Sequence, residues 1–262
     1  MSAALYLYCL TPQPALKDLY QCEFPNLLGP VHWEACGEIG AVLSRIENVE
    51  GWVSDDLFAD ADWATHRALH HARVIELVWS KVPVYPAQFG TLYGSLDSLK
   101  SVLVREHASL DRFFRATAGM AEWDIKVFFN PSKAQDKWVQ DHMNMESDVI
   151  GCLSGGKRYL VEQRLRRDAK YSVVSDYKTL CVRILEELTH DAAGVCGRAL
   201  PPLEDSDKQP LGHWAALWPA TFSSEIDERM GEARAAHRPL GIDVQWSGPW
   251  PPYSFRSMLT LD

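Results

Sequence analysis

Three histidines on one predicted helix, His66, His70 and His71, are the side chains whose type and spacing come nearest to chemistry. His66 and His70 are four apart and share a helix face, a spacing at which two imidazoles can hold a transition metal. A zinc-protease helix of the His-Glu-x-x-His form needs a glutamate as general base after the first histidine. Here that place holds Arg67, a cation that repels a metal, and no third ligand is evident. The plainer reading is a helix whose histidines hydrogen-bond to neighbouring backbone.

The stretch Gly-Cys-Leu-Ser-Gly-Gly-Lys-Arg at residues 151–158 approaches a phosphate-binding loop. It has Arg158 where Ser or Thr would hold magnesium, and Glu146-Ser147-Asp148 is a poor preceding strand. It reads better as a glycine turn opening a long helix. Lys157, Arg158, Arg164, Arg166, Arg167 and Lys170 then form the strongly basic stretch of an acidic protein. That is a solvated helix face or a contact for an acidic protein surface. No Gly-x-Ser-x-Gly elbow and no dinucleotide fingerprint occurs, so no catalytic group is assigned.

The carboxyl end carries a different signal. Ile242, Val244 and Trp246 alternate as a strand, and Gly248-Pro249-Trp250-Pro251-Pro252-Tyr253 follows. Prolines remove backbone donors and fix φ, so the chain is expected to leave the sheet extended. Trp250 and Tyr253 sit in this stiff strip, which either clamps the protein's own core or docks a partner.

These groups must be placed by regular elements. Residues 3–10 read as a buried strand and 11–30 as a long loop. Strands at 31–35 and 41–46 form a hairpin. A helix at 61–81, with Asp60 or Asp62 as cap, leads to a strand at 82–91 and a helix at 96–116 capped by Ser95. The second half opens with a strand at 123–129, and Pro131 starts a helix. A long helix spans about 156–190. Its Val174, Tyr177, Cys181, Ile184 and Leu188 make a coiled-coil-like seam, with Arg164 and Arg167 upstream in the same phase. Strands near 195–199 and 215–222, a helix at 225–237 and the strand at 242–246 complete it. From residue 123 the order is the split βαβ pattern with an inserted helical hairpin. The fold class is α+β with two domains. Residues 1–119 form a modified ferredoxin-like domain, and residues 120–262 a ferredoxin-like domain with the long helical insertion.

Composition bounds the remainder. With 262 residues and 47% hydrophobic content the chain has ample material for such cores. A formal charge of -9 disfavours long-range attraction to nucleic acid or anionic lipid. No stretch approaches the ~20 apolar residues of a membrane helix. The six scattered cysteines, without a Cys-x-x-Cys pair, indicate a reduced cytoplasmic protein.

Several blocks together resemble the gas vesicle accessory proteins of the GvpF/GvpL family. The terminal run from Ser247 through Trp250 and Tyr253 to Phe255 is similar to its closing signature. Ala4-Leu5-Tyr6-Leu7-Tyr8 is similar to its opening strand, and His70-His71-Ala72-Arg73-Val74-Ile75-Glu76 to its double-histidine helix. The segment from Val82 to Thr91, with Phe89-Gly90-Thr91 at its end, resembles another block. So do Glu122-Trp123-Asp124-Ile125-Lys126-Val127-Phe128 and Gly155-Gly156-Lys157-Arg158-Tyr159-Leu160. The blocks keep family order. Gln88 departs from the arginine usual before Phe-Gly-Thr, and 203–212 carries no family block. The resemblance implies two α+β domains and a non-enzymatic accessory protein of gas vesicle assembly. That protein would be cytoplasmic and vesicle-associated, and would bind the small hydrophobic shell protein and other accessory proteins. It implies no cofactor, metal, membrane, nucleic acid or small-molecule substrate. The expected contacts are Trp250, Tyr253 and Phe255 of the strip and Arg164 and Arg167 of the long helix. Two alternatives stand beside it: a metal-dependent enzyme using His66/His70, and an RNA-binding ferredoxin-like module.

Overall fold

The computed structural model describes residues 3–19, 22–47, 49, 61–145, 147–202 and 207–256. The chain divides into two compact units, Met1–Glu122 with Trp250–Asp262, and Trp123–Pro249. The carboxyl strip thus groups with the first unit, whereas the sequence reading placed 120–262 together.

In the first unit, β1 (Ala4–Pro12) is central. It pairs antiparallel with β3 (Ile39–Ile46), which pairs with β2 (Val31–Cys36). On its other side β1 takes two short strands, β4 (Tyr85–Pro86) and β5 (Leu92–Tyr93). The expected strand over 82–91 is reduced to β4, with β5 just beyond it, because Pro83 and Pro86 lack the donors a continuous ladder needs. The segment still follows β1, with Ala87 N–H donating to the Tyr8 carbonyl at 2.9 Å and Leu7 N–H to the Thr91 carbonyl at 3.0 Å. The loop expected over 11–30 contains a 3-10 helix, Gln13–Leu19, which tucks Leu16 and Leu19 into the core.

Helix α1 (Ala61–Trp79) covers one face of this sheet; Asp62 lies in its first turn, and Asp60 lies outside the described residues. The helix expected over 96–116 is two, α2 (Leu96–Arg105) and α3 (His107–Thr117). Ser95 caps α2 through a reciprocal box with Ser98. Leu99, Leu103, Leu110 and Phe113 of this pair meet Leu7 and Leu10, while Val74, Ile75 and Val78 of α1 meet Tyr6 and Tyr8. Being covered on both faces, β1 reads as a near-continuous apolar run. A register shift between Leu7 and Cys9 is a bulge, and it turns the successive residues Tyr8 and Cys9 to the α1 side. The strand order β2-β3-β1-β4 is that of a split βαβ sheet in which the 3-10 helix replaces the first crossover helix.

The second unit contains most of β6 (Met120–Phe129), then α4 (Pro131–Met145), α5 (Ser147–Ile150) and the long α6 (Gly155–Thr189). Next come β7 (Gly194–Gly197), β8 (Gln209–Pro219), α7 (Ser223–His237) and β9 (Ile242–Trp250). The strand order is β7-β8-β6-β9. Element order and strand order together are those of the split βαβ plan with a helical hairpin inserted. β8 begins six residues before the expected 215. Pro210 is tolerated because the β7 pairing covers only Trp214 to Leu217, so Pro210 lies past the end of that neighbour. Trp123, Ile125, Val127 and Phe129 of β6 pack with Trp218, Ile242 and Val244 against α6 and α7.

The buried line of α6 is Ala169, Val173, Tyr177, Cys181, Ile184 and Leu188. Val173, not Val174, takes the core position, and Val174 is 39% exposed. A 3.5-residue repeat drifts around a straight helix of 3.6 residues per turn. The seam inferred from Leu188 backwards therefore slips off the core after three turns.

Candidate functional site

The terminal strip closes on the first unit. Pro251 and Pro252 are buried, Tyr253 packs with the α1-side core, and Phe255 packs with the α2–α3 side. Between them, Ser254 is bound twice by Glu122, through its backbone N–H at 2.6 Å and its hydroxyl at 2.7 Å. Arg256 adds a guanidinium hydrogen bond to the Pro86 carbonyl at 3.2 Å. The strip expected to run extended stays in β9 as far as Trp250 and then makes a 3-10 turn, Tyr253–Phe255. Of its three aromatics, Trp250 is 37% exposed, whereas Tyr253 and Phe255 are directed at their own unit. Burial, then the nearby Glu76, pushes the Tyr253 phenol well above its usual range.

The histidines fall into two environments. His66 is exposed and His70 and His71 are buried. His70 Nε2 lies 3.0 Å from the Tyr8 hydroxyl, which also lies 3.1 Å from Ser44 Oγ. His71 Nε2 lies 3.2 Å from the Ala87 carbonyl, an acceptor only, so Nε2 carries the proton. Nδ1 then accepts from the Tyr6 hydroxyl at 2.8 Å. Burial pushes the His71 pKa down to about 4, against a smaller upward pull from Ala87; burial also lowers that of His70. The His66/His70 pair is therefore split: His70 is committed to the core, and Arg67 stacks its guanidinium 3.9 Å over the Trp63 ring. No group of three or more metal-ligating side chains occurs among the described residues.

The glycine turn opens α6 at Gly155, with Ser154 at the cap. A short helix precedes it rather than a strand, so the strand–loop–helix frame of a phosphate loop is absent here. Lys157 and Arg158 are exposed. Arg164 and Arg167 are 77% and 72% exposed, and each lies 3.7 Å from the single carboxylate of Asp168. Arg166 is different: it bridges Glu162 on its own helix and Asp136 on α4. α6 thus has one side fastened to α4 and another presented to solvent.

On β6 the side facing away from α6 and α7 holds Asp124, which sequence reasoning did not single out. It is contacted by Arg198 at 2.6 Å, His213 at 2.7 Å and Lys126 at 3.2 Å. Burial pushes its pKa up, but hydrogen bonds from His213 and Lys126 outweigh this and hold it below the usual value. RNA-recognition sheets use stacking aromatics at such a place; here the centre is a closed, anion-centred ion cluster. Alternation along β6 was the available signal, since Asp124 and Lys126 interrupt the apolar positions in phase.

The family profile described as gas vesicle synthesis protein GvpL/GvpF matches residues 4–257. The chain belongs to the GvpL/GvpF family. Gas vesicle protein L of a Streptomyces species is 26% identical over 216 residues, covering 78% of this chain and 73% of that one. Gas vesicle protein L2 of Halobacterium salinarum is 21% identical and is covered over 94% of its length by the whole of this chain. The crystal structure of GvpF from Anabaena superposes with a TM-score of 0.67 at 17% identity, over 98% of this chain and 97% of that one. GvpF from Microcystis aeruginosa gives the same score and identity, over 97% and 99%. All six sequence blocks that resemble GvpL/GvpF proteins lie inside the matched span. Gln88, the departure from the family pattern, is exposed, and its carbonyl closes the turn to Thr91.

Proposed function

We propose that this chain is a non-enzymatic assembly protein that binds the small hydrophobic shell protein of gas vesicles in the cytoplasm and assists its nucleation or ordered addition. The observation that carries this reading is the family match over residues 4–257. The physical logic is simple. Shell subunits expose apolar surface before they stack, and large exposed apolar patches aggregate. A soluble protein with aliphatic and basic side chains on one exposed helix can cover such surface and release it to a growing edge. Arg164 and Arg167 on α6 are the proposed contacts, with Trp250 as the outward aromatic of the strip. Tyr253 and Phe255 act indirectly, by fixing the segment that carries Trp250. No helix among the described residues is long and apolar enough to cross a membrane.

Co-expression with the shell protein and the other vesicle proteins, followed by affinity retention of this chain, tests the proposal. Retention of the shell protein supports it. Retention of other accessory proteins alone replaces it with a scaffold role. Retention of none contradicts it.

A further inference from the structure

α6 carries a second seam, distinct from its buried line. Leu160, Arg164, Arg167, Tyr171, Val174 and Lys178 follow one another at alternating steps of four and three residues. That is the a/d spacing of a two-stranded coiled coil. All six are exposed, and the apolar ones substantially: Leu160 67%, Tyr171 81% and Val174 39%. Single exposed apolar residues are ordinary. Three on one line, at coiled-coil spacing and interleaved with three cations, form a patterned surface.

The charge of the seam is equally one-sided. It contains no acidic residue, although the chain as a whole carries -9. Asp168 stands at its margin and is shared between two guanidinium groups at 3.7 Å each. Lys178, and Lys170 nearby, have no ion pair among the described residues. α4 does not cover the seam, because it is fastened to the Arg166 side of α6 through Asp136 at 2.8 Å.

We propose that this seam docks one partner helix, amphipathic and acidic. The partner's facing positions would set carboxylates against Arg164, Arg167 and Lys178 and aliphatic side chains against Leu160, Tyr171 and Val174. The inference rests on the assembly reading above and names the chemistry of the partner. Charge complementarity selects that occupant: a second basic helix is repelled, and an acidic one is steered in by the cations. Nucleic acid would use the cations and Tyr171 but leave Leu160 and Val174 without a role, and the chain's charge of -9 disfavours it.

The test titrates the full chain with a synthetic helical peptide of about three heptads, with leucines in the seam and glutamates flanking it. A second peptide has lysine in place of every glutamate. Binding is read by fluorescence anisotropy for the unmodified chain, for R164E/R167E/K178E and for L160Q/Y171Q. All five positions are exposed, so far-UV circular dichroism should be unchanged in both variants. Saturable binding of the acidic peptide is expected. It should weaken at least tenfold in each variant and with added salt, and the lysine peptide should not bind. Equal binding to all three chains overturns the proposal, as does equal binding of both peptides. So does a single-stranded RNA oligomer that binds through these residues while the acidic peptide does not. Peptide binding without retention of any vesicle protein would sink the assembly reading and leave the seam standing. Retention of the shell protein by both variants as strongly as by the unmodified chain would sink the seam and leave the assembly reading.

Discussion

Ser254 and Glu122 are joined by two short hydrogen bonds, backbone N–H to carboxylate at 2.6 Å and hydroxyl to carboxylate at 2.7 Å. Glu122 is only 2% exposed, so the carboxylate depends on such donors. The proline-rich strip is thereby made part of the first unit rather than a free tail. Glu122→Ala removes the acceptor of both bonds from the part-buried Ser254 donors. A loss of roughly 2–4 kcal/mol is expected, read as a lower urea midpoint. Ser254→Ala, which keeps the backbone bond, should cost less than half as much. Equal, negligible losses in both would remove the clamp from the account.

Val173 and Val174 test the register of α6 directly. Val173 is 1% exposed and Val174 is 39% exposed. Val173→Ala should cost about 1–3 kcal/mol through lost burial and a residual cavity. Val174→Ala should stay within about 0.5 kcal/mol. Thermal melts of the two variants decide it, and the reverse ranking would mean that the helix is rotated.

His71 gives the fold an acid sensitivity. Its folded pKa of about 4 lies below its ordinary value of 6.5 because burial disfavours the charged ring. The unfolded chain therefore takes up a proton at a pH where the folded chain does not. The stabilisation is complete above pH 6.5 and is lost as pH falls towards 4, by up to roughly 3 kcal/mol. His70, lowered for the same reason, acts in the same direction. Urea midpoints measured across that window should fall with pH, and less steeply in His71→Gln. An unchanged slope in the variant would assign the loss to other groups.

Asp191 ties α7 to the sheet of the second unit. It accepts from Trp218 Nε1 at 2.9 Å and from both terminal nitrogens of Arg229 at 2.7 and 2.8 Å. The Arg229 hydrogen bond in particular holds its carboxyl well below the usual range. Trp218 is fully buried, so Asp191→Ala leaves an indole N–H without its acceptor. Because Asp191 itself is 35% exposed, the loss is set at about 1–3 kcal/mol. A calorimetric melt reads it, and a melt unchanged by the substitution would refute the tie.

The sequence shows most elements because their periods are local. The apolar run of β1, the Ser95 cap, the Pro131 start and the glycine turn before α6 need no knowledge of neighbours. Three things were hidden. The clamp needs Glu122 and Ser254 to meet across 132 residues, and nothing local links them. The start of β8 was masked by Pro210, which is harmless only because β7 is short. The histidine pairing was misleading because spacing favoured His66 with His70. The better signal lay in Tyr6 and Tyr8, both wholly buried and each needing a hydrogen-bond partner, which His71 and His70 supply. The exposed half of α6 was legible as a run of cations. Its apolar members became part of a surface only when the structure separated the exposed seam from the buried one.

The most direct test of the central claim is quantitative retention of the co-expressed shell protein by this chain, compared with its Arg164→Glu/Arg167→Glu variant. The account predicts clear retention by the unmodified chain and a loss of at least tenfold in the variant, with both proteins equally folded. Absence of the shell protein from the fraction retained by the unmodified chain would contradict it.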